Sequence, residues 1–573
     1  RTPGERGAIL NKAAVLYEEH AGEMFALLAR EAGKTQADCV AEIREAVDFL
    51  RYYAVQAEAL GADRQARGVF ACVSPWNFPL AIFTGQLSAA LAAGNAVVAK
   101  PAEQTPLIAS RAVELLHQAG VPAATLQLIP GDGPTVGAAL AGAPDIDGFC
   151  FTGSTQTARI INRSMVATGN PKAPLIAETG GLNAMIVDST ALPEQAVRDI
   201  VASAFQSAGQ RCSALRVLYV QKDVAQKLLE MLFGAMDELL IGAPWDLTTD
   251  VGPVIDREAL AKIESHVEMA AVEGRLMKRL EAPSGGTFVA PAVISVDGIA
   301  DLEEEIFGPV LHVATFEADE IDEVVDAINA TGYGLTFGLH TRIDDRVQQV
   351  IGRVQAGNLY VNRNQIGAIV GSQPFGGEGL SGTGPKAGGP NYLPRFTRLT
   401  DLETEEVGGT VVSVAAVQKA LDASVKPVHD AIRTYDLPGP TGESNRLSVY
   451  CRGTVLCLGP GPEAARSQAE EALSSGCAVV AVAPGLTEIK GALVINGKLS
   501  PEQLSELRGV SAVCHWGDRQ SAGELRKLLS DGSGPLPQLS TEPGMESVFI
   551  HERHLCIDTT AAGGNASLLA SSS

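Results

Sequence analysis

One cysteine and one carboxylate have the chemistry of a nucleophile and its base. Cys212 follows a predicted helix in the turn Ser-Ala-Gly-Gln-Arg-Cys-Ser, directly after Arg211. A neighbouring cation favours the thiolate, the reactive form of cysteine. Glu178 ends a predicted strand in Ala-Glu-Thr-Gly-Gly, and open α/β sheets place their sites at such strand ends. Taken alone, each residue also fits a plainer interpretation: a buried structural cysteine and a solvated carboxylate.

Polar residues at other strand ends would complete such a site. Asn77, in Ser-Pro-Trp-Asn-Phe-Pro, is an amide donor for a developing oxyanion, or simply a turn residue. Lys100 and Glu103 follow the next predicted strand and suit the hydroxyl groups of a ribose. Phe-Thr-Gly-Ser, ending at Ser154, opens a helix with small residues and suits an anion. The glycines of residues 130–137 form GxGxxxG, which is a weak phosphate motif.

Composition argues against several other classes of protein. The 573 residues include 67 acidic and 44 basic side chains, a formal net charge of −23, which disfavours nucleic acid and anionic membranes as partners. Hydrophobic residues make up 46% and charged residues 19%, so the chain folds. The nine cysteines include no CxxC pair, which indicates a reduced cytosolic protein without disulfides or a thiolate metal site. Residues 68–99 lack charge, but prolines, glycines and amides interrupt them, so we expect no membrane span.

The elements that must position these residues alternate between short apolar runs and helices, which predicts a doubly wound parallel sheet. After amphipathic helices in the first 60 residues, Thr105 and Pro106 begin a helix that Gly120 ends. Another helix begins at Pro193 and ends at Gly209, shortly before the cysteine. β-branched residues predict a further strand at Thr410–Val414. The predicted strands of the sheet are 69–73, 96–99, 126–129, 148–151 and 175–177.

The C-terminal region repeats the first sheet in degraded form. The paired segments are 68–75 with 453–460, 91–99 with 473–481, and 149–153 with 513–517. In this alignment Val482 replaces Lys100, Gly-Pro-Gly-Pro replaces the Asn77 loop, and Leu539 falls at the position of Glu178. We therefore predict a domain that keeps the fold, lacks the catalytic residues, and covers a cavity or tunnel or mediates subunit contact.

Seven motifs in order resemble the aldehyde dehydrogenase superfamily: Trp-Asn-Phe-Pro, Lys-Pro-Ala-Glu-Gln-Thr-Pro, Phe-Thr-Gly-Ser, Glu-Thr-Gly-Gly, Gly-Gln-Arg-Cys, Glu-Glu-Ile-Phe-Gly-Pro and Pro-Phe-Gly-Gly. Gln-Arg-Cys-Ser and the loop Asn364–Gly371 resemble its L-glutamate γ-semialdehyde dehydrogenase branch. The C-terminal region, including Asp558–Leu569, resembles the C-terminal half of a bifunctional bacterial proline-catabolic enzyme. The resemblance implies an α/β aldehyde dehydrogenase fold: a Rossmann-like NAD-binding domain, an α/β catalytic domain and a degenerate third Rossmann-like domain.

The resemblance also implies residue roles. Cys212 attacks the aldehyde, Asn77 and the Cys212 N–H stabilise the oxyanion, and Glu178 activates the water that hydrolyses the thioester. Implied NAD⁺ contacts are Lys100 and Glu103 at the adenosine ribose, Ser154 at the pyrophosphate, Glu305 at the nicotinamide ribose and Phe307 beside the nicotinamide. Implied substrate contacts are Ser213, Gly367 and Ala368 at the α-carboxylate, with Phe78 and Phe375 around the aliphatic chain. Glu103 would repel a 2′-phosphate, which favours NAD⁺ over NADP⁺.

The implied activity is NAD⁺-dependent oxidation of L-glutamate γ-semialdehyde to L-glutamate, the second step of proline catabolism. Another small aldehyde stays open as the substrate. The expected partition is 1–181 NAD-binding, 182–390 catalytic, 391–425 oligomerisation, 426–548 degenerate domain and 549–573 a segment covering a tunnel. Residue 1 is Arg, so we expect a longer chain, and the resemblance implies that it carries an upstream flavin-dependent proline dehydrogenase domain. We also expect a homo-oligomer in the bacterial cytoplasm without a metal, since His551–His554 lacks the HExxH spacing.

Overall fold

The computed structural model describes residues 1–399, 407–424, 430–530 and 534–560. The helices are α1 (Pro3–Glu19), α2 (Ala21–Ala32), α3 (Gln36–Ala59), α4 (Ala81–Ala92), α5 (Pro106–Ala119), α6 (Ala138–Ala141), α7 (Thr155–Ala167), α8 (Pro193–Phe205), α9 (Lys222–Asp237), α10 (Arg257–Val272), α11 (Ile321–Ala330), α12 (Asp344–Arg353), α13 (Val414–Ala423), α14 (Pro462–Ser474), α15 (Pro501–Leu504) and α16 (Arg519–Leu529). Among these described residues no helix is long and apolar enough to cross a membrane.

The strands are β1 (Gln65–Ala66), β2 (Val69–Val73), β3 (Ala96–Lys100), β4 (Leu126–Leu128), β5 (Gly148–Gly153), β6 (Leu175–Thr179), β7 (Ala184–Val187), β8 (Val217–Gln221), β9 (Leu276–Arg279), β10 (Ala292–Ser295), β11 (Val310–Phe316), β12 (Tyr333–Gly334), β13 (Thr336–His340), β14 (Asn358–Val361), β15 (Glu378–Gly379), β16 (Thr397–Arg398), β17 (Arg433–Leu437), β18 (Glu443–Cys451), β19 (Thr454–Cys457), β20 (Ala478–Ala483), β21 (Leu493–Asn496), β22 (Ala512–Cys514), β23 (Leu539–Ser540) and β24 (Ile550–Asp558).

The first sheet, which we call sheet I, has five parallel strands in the order β4-β3-β2-β5-β6. All five strands predicted from the sequence are present, with bounds that differ by at most about two residues. Helix α4 is buried along its whole length, which explains the uncharged residues 68–99. Its neighbours α1, α3 and α5 complete one hydrophobic core with it. The prediction of a doubly wound parallel sheet is therefore confirmed.

A ten-stranded sheet follows, in the order β17-β18-β24-β14-β13-β7-β8-β11-β10-β9. Its parallel centre pairs β24, from the end of the described chain, with β14. Residues 550–558 thus belong to a sheet, whereas the sequence predicted a covering segment over 549–573. His551–His554 was expected as a solvated strand or turn; it is a strand in which His551, Glu552 and His554 are buried, and His551 and Arg553 both face Glu378. Residues 561–573 lie outside the described residues.

A second five-stranded parallel sheet, sheet II, has the order β21-β20-β19-β22-β23. This is the strand order of sheet I, as the repeated motifs predict. Even the neighbouring pair Cys72 and Cys150 of sheet I recurs as Cys457 and Cys514. Helix α16 of this unit packs against α7 of the first, so equivalent helices of the two units contact each other.

The registers of the two sheets correct one alignment. In sheet I, Phe149 pairs with Leu175, three residues before Glu178. In sheet II the equivalent Val513 pairs with Leu539, so Leu539 corresponds to Leu175. Three residues further, Glu542 therefore holds the position of Glu178. The sequence alignment was wrong here because it matched a Pro-Leu pair across segments of different length.

The strand predicted at Thr410–Val414 is not formed. Val411 makes a single bridge to Lys498, and Val414 already begins α13. The Ser413 side chain accepts a hydrogen bond from the Ala416 N–H, so a helix N-cap overrides the β propensity of the branched residues. The predicted boundary at residue 425 lies outside the described residues.

Candidate active site

All of the predicted site residues line one cavity of about 760 Å³ at the carboxyl ends of the sheet I strands. They are Asn77, Phe78, Lys100, Glu103, Ser154, Glu178, Cys212, Ser213, Glu305, Phe307, Gly367, Ala368 and Phe375. Their segments come from sheet I, from the turn after α8 and from loops of the ten-stranded sheet. Ligands of α/β proteins bind at this edge because the connections there carry the variable polar residues.

A strained turn presents Cys212 to the cavity. Helix α8 begins at Pro193 as predicted but ends at Phe205, and a 3-10 turn spans Gln206–Gly209. Ser207 and Ala208 have positive φ values of 55° and 54°, which side chains other than glycine rarely adopt. The Asn183 amide donates to the Cys212 carbonyl at 2.6 Å and thereby holds the turn in place.

Burial raises the pKa of the Cys212 thiol to about 12, with the carboxylates Glu305, Glu45 and Glu178 adding to the shift. The sequence predicted the opposite influence, from Arg211. That guanidinium instead donates to Asp38 at 2.8 Å and to Ser207 at 3.1 Å, both buried on the far side of the turn. Since Asp38 neutralises this cation, the prediction that Arg211 favours the thiolate is wrong.

The amide of Asn77 lies beside the same turn. Its Nδ2 donates to the Gln210 carbonyl at 3.2 Å, and its side chain is 8% exposed. Gln210 is fixed in turn by bonds from its amide nitrogen to the Ser207 and Pro253 carbonyls. An amide nitrogen carries two hydrogens, so Asn77 keeps one for a ligand. This arrangement suits a donor that must be immobile before negative charge develops.

Glu178 has one bonded and one open oxygen. Its Oε2 accepts a hydrogen bond from the Gly377 N–H at 2.9 Å, while its buried Oε1 has no hydrogen-bond partner among the described residues. Burial raises the pKa of this carboxyl to about 7, although the cations Arg395 and Lys386 act in the other direction. A carboxyl with this pKa can accept a proton near neutral pH.

Arg216 orients Glu305 within the cavity wall. This fully buried guanidinium donates to Glu305 Oε1 at 2.9 and 3.1 Å and also to the Gly209 and Gly308 carbonyls. It lies 5.1 Å from the ring centre of Phe307, whose edge meets Trp76. Both predicted nicotinamide-side residues are thus held by one cation, which also braces the turn before Cys212.

The other end of the cavity fits a dinucleotide. Lys100 Nζ lies 3.8 Å from Glu103 Oε2, so both polar ends sit together as the ribose contacts require. Ser154 caps α7 by accepting from the Thr157 N–H at 3.1 Å, which places the positive helix terminus at the cavity. A Cβ on Gly153 would lie 2.6 Å from the Phe151 ring, so only glycine fits beside this terminus. The residues present therefore fit NAD.

The opposite end gathers the residues implied for a substrate carboxylate. Ser213 is buried, and Gly367 has a φ of +70° with open space where a side chain would lie. The loop that carries Gly367 and Ala368 is held at both ends. Arg363 and Gln373 donate to the two oxygens of Glu443, at 2.8 and 2.9 Å. Arg363, the cation next to this loop in the sequence, is paired with the Glu443 carboxylate.

Two cations flank the aromatic residue Phe78. The sequence did not single out Lys34, and it placed Arg211 beside the cysteine. Lys34 Nζ lies 4.7 Å and the Arg211 guanidinium 5.4 Å from the Phe78 ring centre. Glu45 also lines the cavity, and burial beside Glu42 raises its pKa to about 8. Sequence reasoning missed Lys34, Glu45, Asn183 and Arg216. Only Arg216 had a signal, since it lies four residues after the cysteine.

The described residues contain no group of three or more His, Cys, Asp or Glu side chains placed to hold a metal ion. None of the nine cysteines, which all lie among the described residues, forms a disulfide, and Cys212 is the one that is not fully buried. The lining of the cavity offers a thiol, a carboxyl and amide donors.

Known proteins are similar to this chain in sequence and in fold. Residues 1–402 match the model of the aldehyde dehydrogenase family. "Bifunctional protein PutA" from Klebsiella aerogenes is 45% identical over 619 aligned positions, which cover 98% of this chain and 46% of that protein. A solved mutant of Bradyrhizobium japonicum proline utilization A is 54% identical, with a TM-score of 0.68 over 70% of this chain and 42% of that one.

A solved 1-pyrroline-5-carboxylate dehydrogenase from Thermus with bound NAD is 35% identical, with a TM-score of 0.65 over 70% of this chain and 81% of that one. The chain spans about half the length of the PutA relatives that it matches.

Proposed function

The chain belongs to the aldehyde dehydrogenase family, and we propose that it oxidises L-glutamate γ-semialdehyde to L-glutamate with NAD⁺, the second step of proline catabolism. The observation that carries the proposal is that a thiol, a carboxyl of raised pKa and the loop with Gly367 and Ala368 line one cavity. The relatives named PutA and 1-pyrroline-5-carboxylate dehydrogenase support the same substrate.

In the proposed reaction the Cys212 sulfur attacks the aldehyde carbon. The second hydrogen of Asn77 Nδ2 and the Cys212 N–H donate to the oxygen as it gains negative charge. Because burial holds the thiol protonated in the free protein, its proton must pass to a base during attack. Glu178 lines the same cavity and has an open oxygen.

NAD⁺, when bound, accepts the hydride from the adduct on Cys212 and leaves a thioester. Lys100 and Glu103 bind the adenosine ribose, and the N-terminus of α7 at Ser154 binds the pyrophosphate. Glu305, held by Arg216, binds the nicotinamide ribose, and Phe307 packs beside the ring. Glu178, after passing the thiol proton to solvent, takes a proton from the water that hydrolyses the thioester.

Substrate choice rests in this proposal on the carboxylate end. Ser213 and the N–H groups of Gly367 and Ala368 bind the α-carboxylate, while Phe78 and Phe375 enclose the aliphatic chain. Another small aldehyde is the alternative substrate, and it would leave these donors unused. An unpaired buried donor costs about 1–3 kcal/mol, so the loop should discriminate between the two.

We place this chain as part of a longer protein with an upstream proline dehydrogenase domain, supported by the length of its PutA relatives. We further propose a homo-oligomer in the bacterial cytoplasm. Within the chain, β6 and β7 belong to different sheets, which supports a domain boundary near residue 181. Strands β18 and β24 join the ten-stranded sheet, so the proposed C-terminal unit, although without catalytic residues, completes that sheet.

The test is NADH formation by the 573-residue chain with L-glutamate γ-semialdehyde, beside propanal and beside a Cys212→Ala variant. We expect activity that needs Cys212 and a kcat/KM for the semialdehyde at least about a hundredfold above that for propanal. Equal kcat/KM values would overturn the substrate, and activity in the Cys212→Ala variant would overturn the mechanism.

A further inference from the structure

We propose that Lys386 is a positioning residue for Glu178, whose ammonium anchors the turn that holds the Glu178 carboxylate and supplies the positive charge that keeps it ionised for thioester hydrolysis. The inference rests on the proposed function, because it concerns the base of that reaction. Lys386 does not line the cavity and belongs to none of the motifs that pointed to the site.

A single peptide group, the one between Gly376 and Gly377, connects the two side chains. Lys386 Nζ donates to the Gly376 carbonyl, and the next N–H, that of Gly377, donates to Glu178 Oε2 at 2.9 Å. The Glu178 carboxylate also packs on Gly376, since a Cβ there would lie 3.2 Å from both of its oxygens. Ammonium and carboxylate thus contact opposite sides of one glycine, in a turn that begins with Phe375.

A buried ammonium is costly, so its presence here needs a reason. The Lys386 side chain is 2% exposed, and its remaining hydrogen bond goes to Asn358 Oδ1 at 3.0 Å. Among the described residues no carboxylate forms a direct ion pair with it. Neutral donors could hold two carbonyl-type oxygens without the desolvation cost of a charge. A neutral donor would not supply the positive charge that stabilises the ionised Glu178 carboxylate.

The charged groups that face this pair come from several elements. They are Glu378 on β15, Glu552 and Arg553 on β24, and Arg395 in the 3-10 turn Leu393–Phe396. Other titratable groups facing the pair are His551 and His554 beside Lys386, and the Cys150 and Cys212 thiols beside Glu178. Burial lowers the pKa of Lys386 to about 8, so it is protonated at neutral pH. Its charge and that of Arg395 lower the pKa of Glu178, whereas burial and Glu552 raise it. Removing the ammonium must therefore raise the pKa of Glu178.

The experiment follows thioester hydrolysis directly. The 573-residue chain is mixed with NAD⁺ and semialdehyde, quenched at intervals between pH 6 and 9.5, and the acyl form of Cys212 is measured by mass spectrometry. Hydrolysis in the unmodified chain should rise through pH 7. In Lys386→Met and Lys386→Gln the midpoint should move up by about one unit, which lowers the rate at pH 7 about fivefold and restores it at pH 9.

Two further variants separate charge from anchoring. Lys386→Arg keeps the charge and should keep the midpoint. Asn358→Ala loosens the same turn, because Asn358 binds the Gly376 N–H and the Pro374 carbonyl. It also removes one acceptor of Lys386 Nζ but leaves the charge in place, so it should lower the rate at every pH without moving the midpoint. An unmoved midpoint in either neutral Lys386 variant, or an equal shift in Asn358→Ala, would overturn the inference. Failure of the unmodified chain to form an acyl-enzyme at all would overturn the proposed function, and this inference with it.

Discussion

Sheets I and II have the same strand order, yet only sheet I borders the cavity that gathers the site residues. The similarity reaches small details: Gly68 and Gly453, which precede the first strand of each unit, both have φ values above 100°. Each accepts a hydrogen bond from the first residue of the next strand. The shared backbone shows that this arrangement of strands does not by itself make a site.

The differences lie at equivalent positions on the strand ends. Val482, buried in sheet II, stands where Lys100 stands in sheet I. Asp518 caps α16 as Ser154 caps α7, each accepting from the N–H three residues on. A carboxylate at this helix terminus occupies the place where a pyrophosphate would bind and repels it. The second unit therefore lacks the charge pattern for a dinucleotide.

The catalytic positions have changed as well. By count from the paired cysteines, Pro462 replaces Asn77 and begins α14, so the amide donor is lost. Glu542, at the position of Glu178, is retained but forms an ion pair with Arg67 at 2.5 Å. In the first unit the carboxylate is free to react, whereas in the second it binds the first unit. Equivalent strand-end positions thus serve the proposed chemistry in the first unit and the contact with that unit in the second.

The largest contrast is expected between the two equivalent carboxylates. Glu178→Gln should slow thioester hydrolysis by about 10² to 10⁴, because an amide cannot take the proton of water. Glu542→Gln should leave turnover unchanged and lower only the stability of the contact with Arg67. The measurement is steady-state NADH formation for both variants, with thermal unfolding as the second readout. A comparable loss of turnover in Glu542→Gln would mean that the two regions are not functionally distinct.

Exchange of the two helix caps should have the next largest effect. Ser154→Asp places a carboxylate at the proposed pyrophosphate site and should raise the KM for NAD⁺ at least about tenfold, or 1.4 kcal/mol. Ser154→Asn keeps a neutral cap and serves as the control. Asp518→Ser should bind no NAD⁺ at sheet II, since Val482 still replaces the ribose-binding lysine. Titration of each variant with NAD⁺ decides the matter, and weak binding to Ser154→Asn as well would assign the loss to the cap rather than the charge.

The sequence predicted features that depend on interactions between residues close together in the chain. The strands of sheet I were predictable because short buried runs and glycine stops are local signals, and the polar cavity residues at the ends of those strands stood out from the sequence. The substrate-side residues were implied only by the resemblance to the aldehyde dehydrogenase superfamily. The sequence also predicted the repeated unit. It failed at Val414, where the local hydrogen bond of an N-cap outweighed β propensity.

The sequence did not predict contacts between residues that are distant in the chain. Arg211 was expected to activate the thiol, but Asp38, at a sequence distance of more than 150 residues, binds it. The same holds for β24, whose charged residues looked solvated: Arg553 forms an ion pair with Glu378, and the buried Glu552 accepts a hydrogen bond from the Lys386 backbone N–H. A buried charge can be recognised from the sequence only when its partner is already known.

The contribution of the C-terminal region to the site can be tested at Glu443. This residue on β18 bonds both ends of the loop that carries Gly367 and Ala368. Glu443→Gln weakens the hydrogen bonds that Arg363 and Gln373 donate to the carboxylate. The KM for the semialdehyde should rise about fivefold to tenfold. The KM for propanal should stay unchanged, because propanal has no carboxylate. Glu546→Gln is the matched control, since its pair with Arg433 is exposed and contributes little. An equal rise for propanal would show a general loosening of the cavity.

The smallest expected effect concerns what the two regions still have in common. Ser154→Ala and Asp518→Ala each remove the side chain that caps a helix, at a cost of about 1 kcal/mol. Hydrogen exchange at the Thr157 and Ser521 amides should accelerate by a similar factor in the two variants, since each amide loses its bond to the cap. Only Ser154→Ala should also raise the KM for NAD⁺. Equal cap energies with unequal effects on NAD⁺ would assign the difference between the sheets to charge and side chains at one helix terminus, rather than to the backbone that both sheets share.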